Sequence, residues 1–276
     1  NLLVWGKTIA RFQQARWLEV TALDVGHGDA LVIRTPTHQT LLVDTGTREA
    51  GQYVVVPFLR SRGIAAVDAL LLTHFDEDHI GGAVPLLEAV RVRRVFTNGA
   101  QPTTATGHQV LSLARTRRIP IESLSAGVRL TGLQEVDMIV LHPPRGGVPG
   151  TRPESNDNSV VARLAKGRVS WLLCADLEEA GLPWLLAWGA PLQSTVLKVP
   201  HHGSAVGWRG RPFAEQVRPS LAIISVGRRH GLPSAETVEA LAAVGARVTT
   251  TREAGAFTMR TDGTRLLVTT FRPDTS

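Results

Sequence analysis

The sequence predicts an α/β protein made of two β-then-βα halves, a pattern compatible with two sheets that face each other and carry helices. Three observations support this. Apolar runs of strand length alternate with stretches of helical periodicity along most of the chain, and such alternation implies sheets covered by helices. Three of the apolar runs are followed directly by His and Asp clusters, at residues 73–82, at Asp176 and at residues 198–204. No short repeat, low-complexity tract or linker divides the 276 residues, so residues 1–276 are expected to form a single domain.

Hydrophobic residues make up 43% and charged residues 20% of the chain, values of an ordinary soluble globular protein. The longest apolar stretches, such as residues 54–59, are far too short to cross a bilayer. The chain opens on Asn1 and the half-apolar lead Leu2-Leu3-Val4-Trp5 without a visible signal peptide, which suggests a piece of something longer. One cysteine, Cys174, excludes an intrachain disulfide. The net charge is +6 and Arg far outnumbers Lys. Guanidinium groups grip phosphate oxygens in a fork, although a generally charged, soluble surface accounts for the excess equally well.

In chain order, residues 18–23, 30–33 and 40–43 read as strands, with a turn at residues 35–38 between the last two. Asp24 and Asp44 each end a strand beside glycines, in Asp24-Val25-Gly26-His27-Gly28-Asp29 and Asp44-Thr45-Gly46. Asp24 and Asp29 are expected to cap their loops through backbone amides; for Asp44 and His27 a place near the site and a place away from it are equally open. Residues 51–62 look helical, and residues 68–72 form the short strand that delivers the first cluster. A helix is expected beyond Gly81 and Gly82, on the spacing of Ile80, Val84, Leu87 and Val90. Further strands fall at 92–96, 136–141, 160–164, 169–174 and 194–199, with a helix at 109–118 and a helical run from Leu177 to Glu179. Residues 145–157 are rich in Gly and Pro and read as a surface loop flanking the site. The tail adds strand 221–226, helix 234–244, strand 247–251 and a hairpin of 256–261 with 265–270, turned at Asp262-Gly263.

The chemistry concentrates in Thr73-His74-Phe75-Asp76-Glu77-Asp78-His79-Ile80-Gly81-Gly82. His74 and Asp76 can point the same way from an extended loop, as can Asp76 and Asp78. Adjacent Asp78 and His79 must diverge, so one ion cannot easily take all four, whereas two ions can. Asp176, just after a strand, is placed either to bridge two metals or to cap a helix. Lys198-Val199-Pro200-His201-His202-Gly203-Ser204 again sets paired imidazoles at a strand end. Three such clusters in one chain favour a metal centre over incidental polar turns.

These residues resemble the metallo-β-lactamase superfamily, whose His-x-[His/Asp]-x-Asp-His signature matches His74, Asp76, Asp78 and His79. More narrowly the chain resembles the C-terminal domain of ComEC, the competence DNA-uptake channel protein. Residues 23–30, the Asn158-Ser159 step, Asp176, residues 198–204 and Ser225-Val226-Gly227 match that group in order, and the likeness runs from about residue 18 to 263. Four positions depart from it. His27 stands where Gln is usual, adding a ligand or replacing a hydrogen-bonding amide. Ala175 replaces the Gly before the bridging Asp, Asn158 falls near the third-motif His, and Leu232-Pro233 replaces a His-Pro pair, with His230 nearby but out of register.

The resemblance implies a four-layer αββα sandwich with two divalent metal ions, Mn²⁺ or Zn²⁺, at one edge between the sheets. His74 and Asp76 would hold one ion, Asp78 and His79 the other, and Asp176 would bridge. One of His201 and His202 would complete the second ion's shell while the other donates a proton or binds phosphate. Lys198 would stabilise charge developing on phosphate, and Asn158, Ser159 and Ser204 would contact substrate. Asp78, Lys198, His201 and His202 are thus the expected catalytic set. The activity implied is that of a DNA nuclease outside the cytoplasmic membrane, joined to a membrane channel and degrading one strand during uptake without sequence preference. A phosphodiesterase or esterase of small substrates, or a non-catalytic DNA-binding module of the channel, are the alternatives.

Overall fold

A computed structural model describes residues 17–133, 135–153, 155–187, 189, 191–205, 210–227 and 231–272. The first half supplies strands β1 (Leu18–Ala22), β2 (Leu31–Arg34), β3 (Thr40–Val43), β4 (Ala66–Val67), β5 (Ala69–Leu71), β6 (Arg91–Val92), β7 (Val95–Thr97) and β8 (Ile121–Ser123). The second half supplies β9 (Asp137–His142), β10 (Val161–Lys166), β11 (Val169–Leu173), β12 (Val196–Lys198), β13 (Leu221–Ile224) and β14 (Arg247–Thr250). The closing hairpin, β15 (Phe257–Thr261) and β16 (Leu266–Thr270), returns to the first sheet. The two sheets run β16-β15-β1-β2-β3-β5-β7-β8 and β14-β13-β12-β11-β10-β9, and β4 pairs separately with β6.

Alternation along the strands produces the layers, because successive side chains point to opposite faces. Leu41 and Val43 of β3 pack in one core with Trp171 and Leu173 of β11 and with Ile223 of β13, so that core lies between the sheets. Leu42 faces the other way, into a second core closed by the helices Val56–Ser61, Ala83–Ala89 and Ala105–Thr116. Leu172 and Ile224 likewise face a third core beneath the helices Leu182–Ala187, Gly210–Val217 and Ala235–Ala243. Helix, sheet, sheet and helix form the four-layer αββα sandwich. Trp171 spans the inner core, its indole N–H donating to Met259 Sδ of the opposite sheet at 3.4 Å.

Several elements differ from the sequence reading. The strand expected at 92–96 is two, β6 and β7, which pair with different partners. The helix expected at 51–62 begins at Arg48 and passes through a π-helical stretch, Gly51–Val55. That widened turn lies where Gly51 and Gly82 touch backbone to backbone; a Cβ on Gly51 would sit 2.3 Å from Gly82 Cα. Leu177 to Glu179 is not helical; the helix after β11 begins at Leu182 and runs to Ala187. β8 and the helix Gly210–Val217 went unread in the sequence. His230 lies outside the described residues.

Candidate metal centre

The C-terminal ends of β3, β5, β11, β12 and β13 meet at one edge of the sandwich, and each delivers a polar group there. Asp44 follows β3 in a left-handed conformation, φ 55°. Its Oδ1 accepts from Thr73 N at 2.8 Å, while Oδ2 accepts from Thr73 Oγ1 at 2.6 Å and pairs with His79 Nδ1 at 2.8 Å. A carboxylate only accepts, so His79 Nδ1 carries the proton and Nε2 turns to the site. The Thr73 hydroxyl, having donated to Asp44, is left to accept from His74 Nδ1 at 3.1 Å. His202 Nδ1 donates to the Ser225 carbonyl at 2.8 Å. Three imidazoles are thus locked in the orientation that presents Nε2, as ligating histidines are.

Those Nε2 atoms face carboxylates. Asp176 Oδ1 lies 3.1 Å from His79 Nε2 and Asp176 Oδ2 lies 3.3 Å from His202 Nε2. Asp78 Oδ2 is also 3.3 Å from His202 Nε2. The donor atoms of Asp78, His79, Asp176 and His202 all fall within 4.8 Å of one another. His74, His79 and His202 are fully buried, yet their Nε2 atoms and Asp176 Oδ1 have no aligned hydrogen-bond partner among the described residues. Buried polar atoms left this way are costly, and a mixed imidazole and carboxylate set converging on one point suits a divalent cation. The residues fit the ion.

The charges agree. Burial drives the His74 pKa down to about 3, with His79 adding to the effect. Burial opposes charge on His202 too, but Asp176 and Asp78 prevail and raise it to about 9. The same contest leaves His79 well above an ordinary imidazole, held there by Asp176 and Asp44. Asp78 and Asp176 are lowered despite burial, by His202 and His79 in the first case and by His79 and His202 in the second. Without a cation, imidazolium protons balance these carboxylates.

The remaining expected site residues occupy varied places. Asp76 is half exposed, its Oδ2 3.8 Å from the buried His74 Nε2, and Asp78 is partly exposed. His201 stays at the rim, its Nδ1 3.0 Å from Glu178 Oε1 and its Nε2 3.8 Å from Asp176 Oδ2. Consecutive left-handed residues, His201 at φ 42° and His202 at φ 52°, send one imidazole outward and the other inward.

Three expectations are corrected. Lys198 does not reach a substrate phosphate: it is 2% exposed and paired with Asp29 at 2.7 Å, beneath the centre. Asp29 is accordingly the buried partner of Lys198 rather than a loop cap, whereas Asp24 does accept from Gly26 N, at 3.4 Å. Asn158 is neither ligand nor substrate contact. Its Oδ1 accepts from Val148 N at 2.7 Å and its Nδ2 donates to Thr151 Oγ1 and the Arg152 carbonyl, each at 2.9 Å, so its amide closes the 148–158 loop. Ser159 is buried, and its carbonyl accepts from His142 Nδ1 at 3.1 Å. The Ser204 carbonyl accepts from Thr237 Oγ1 at 2.7 Å. Asp44 and Glu178 are the neighbours that sequence reading left open or missed. Asp44 at a strand end beside Gly was a signal; Glu178 had none beyond its closeness to Asp176.

The model of the metallo-β-lactamase superfamily matches residues 23–213, which contain His74, Asp76, Asp78, His79, Asp176 and His202. The chain belongs to the metallo-β-lactamase superfamily. Among solved structures, YhfI of Bacillus subtilis, a metallo-β-lactamase fold protein, superposes with a TM-score of 0.57 at 13% identity, covering 88% of this chain and all of that one. CmlA, a diiron β-hydroxylase from Streptomyces venezuelae, gives 0.54 at 14% identity over 88% of this chain and 54% of that one. At such identities the superfamily likeness is one of fold. Sequence similarity is higher to ComE operon protein 3 of Bacillus subtilis (strain 168), 33% identical over 261 residues, covering 88% of this chain and 33% of that protein. Competence protein ComA of Neisseria gonorrhoeae is 30% identical over 210 residues, covering 75% of this chain and 27% of that protein. The chain spans a third or less of the length of these relatives. None of its described helices is long and apolar enough to cross a membrane.

Proposed function

We propose that this chain is a metal-dependent phosphodiesterase acting on DNA, the hydrolytic part of a competence DNA-uptake protein. The observation that supports it most is the closed set of four ligand atoms from Asp78, His79, Asp176 and His202, within 4.8 Å of one another and backed by fixed Nδ1 contacts. Asp78, His79, His202 and Asp176 would hold one ion. His74 and Asp76, sharing Asp176, would hold a second, more exposed one, and the two would be Mn²⁺ or Zn²⁺. Bound ions of this kind supply a nucleophile at neutral pH and positive charge for the phosphoryl oxygens.

The chain's own residues do the rest. Asp44 and the Ser225 carbonyl hold His79 and His202 in the ligating tautomer. Asp78 would also accept a hydrogen bond from the attacking water. His201, steadied by Glu178, presents Nε2 at the rim, where it can hand a proton to the leaving oxygen. The likeness to competence proteins supports DNA as substrate and a part in a membrane-associated system; a place on the outer face of the cytoplasmic membrane, beside a channel, belongs to the proposal. Arg-rich composition supports phosphate contact without sequence preference. The cavity lined by Arg91, Arg93, Arg117 and Arg118, about 710 Å³, lies at the opposite end of the parallel strands from the candidate ligands, so it does not serve the reacting phosphate.

Comparing kcat/KM for a single DNA strand and for a small aryl phosphodiester, with Mn²⁺ and with Zn²⁺, tests the reading. DNA preferred by at least about a hundredfold, a difference of about 2.7 kcal/mol at the transition state, supports it. Turnover of the small ester alone overturns the DNA assignment.

A further inference from the structure

The loop Gly26-His27-Gly28 is built onto the metal centre more tightly than a surface turn requires. Gly28 has φ 111°, and a Cβ there would lie 2.0 Å from the Asp78 carbonyl oxygen. Asp29 N donates to that same oxygen at 3.3 Å, and the Lys198 ion pair anchors Asp29. From the other side, a Cβ on Gly227 would meet His27 N at 3.0 Å. Backbone on both sides therefore fixes where His27 stands.

It stands at the rim. Its ring lies 4.2 Å from that of His202, centroid to centroid. Its Nε2 is 3.6 Å from Asp78 Oδ2. The side chain is 24% exposed, whereas the rings of His74, His79 and His202 are fully buried. The closed donor set of Asp78, His79, Asp176 and His202 does not include it.

We propose that His27 is a substrate-contacting residue, whose ring N–H binds a non-bridging phosphoryl oxygen of the phosphate ester at the mouth of the centre, and that it is not a metal ligand. With His201 it brackets His202: His27 on the Asp78 side, His201 on the Asp176 side. A tetrahedral phosphoryl group held between two imidazole N–H groups is fixed in orientation as well as charge. The inference rests on the phosphodiester reading for its ligand chemistry.

The experiment measures two affinities in wild type, His27→Ala and His27→Gln. The first is that of Mn²⁺ or Zn²⁺ for the protein, by calorimetry; the second is that of inorganic phosphate for the metal-loaded protein. His27→Ala keeps metal affinity within about threefold and loses phosphate affinity by about tenfold or more, the scale of one hydrogen bond to a charged group. His27→Gln, which retains an N–H donor, recovers part of the loss. A parallel fall in metal affinity makes His27 a ligand and overturns the proposal; unchanged phosphate affinity overturns it as well. Wild-type protein that binds phosphate but cleaves no DNA refutes the nuclease reading while leaving the role of His27 intact.

Discussion

At the scale of single residues, the centre is a set of imidazoles whose protons have been assigned by their neighbours. His202 carries a pKa of about 9 without metal, so it is protonated at pH 7, and a ligating nitrogen must shed that proton. His79 is raised likewise, whereas His74, near 3, has none to lose. Calorimetry in buffers of different ionisation enthalpy should therefore show protons released as the ion binds at pH 7, with the share from His202 declining as the pH rises through about 9. Proton uptake, or release that does not change with pH, contradicts the assignment. In the metal-free protein the raised His202 pKa stabilises the fold below about pH 6.5, and that contribution disappears as the pH rises through the folded value. Ala175 is a second test. It holds φ 46° immediately before Asp176, a conformation that costs an L-residue about 1 kcal/mol or more. Ala175→Gly should raise stability by up to about 1 kcal/mol in urea melts, with metal affinity unchanged. A lower midpoint shows that the methyl is needed.

At the scale of elements, what the sequence revealed and what it hid divide along physical lines. His74, Asp76, Asp78, His79, Asp176 and His202 were legible because they follow apolar runs that could only be strands. Their spacing limits which of them can share an ion. Lys198 and Asn158 misled because spacing does not report direction. One is folded under the centre onto Asp29 and the other turns back into its own loop. β4, β6 and β8 are two or three residues long, too short for alternation to distinguish them from loop. The 148–158 loop offers a prediction of its own. Asn158→Ala strands Val148 N, a buried donor, and removes the Nδ2 contacts to Thr151, Arg152 and Ser155. Thermal and urea melts should register a loss of about 1–3 kcal/mol. Unchanged stability means the loop is held by other contacts.

At the scale of the whole molecule, a four-layer sandwich brings five strand ends from both halves of the chain to one edge. No single segment contains the site. A basic chain, +6 overall, meets DNA mainly through phosphates on this account, so affinity for a DNA strand should fall steeply and log-linearly as salt rises, through counterion release. Affinity indifferent to salt argues for a small substrate. The most direct test of the central claim is the rate of Mn²⁺-dependent cleavage of an end-labelled DNA strand, wild type against Asp78→Asn. That change keeps the side chain's shape and removes the negative charge needed both to ligate and to accept from the attacking water. Cleavage should fall by at least about a hundredfold, the scale of one strong transition-state interaction, with melting temperature and DNA affinity preserved. Cleavage by Asp78→Asn at close to the wild-type rate would place the carboxylate outside the reacting centre and contradict the two-metal account.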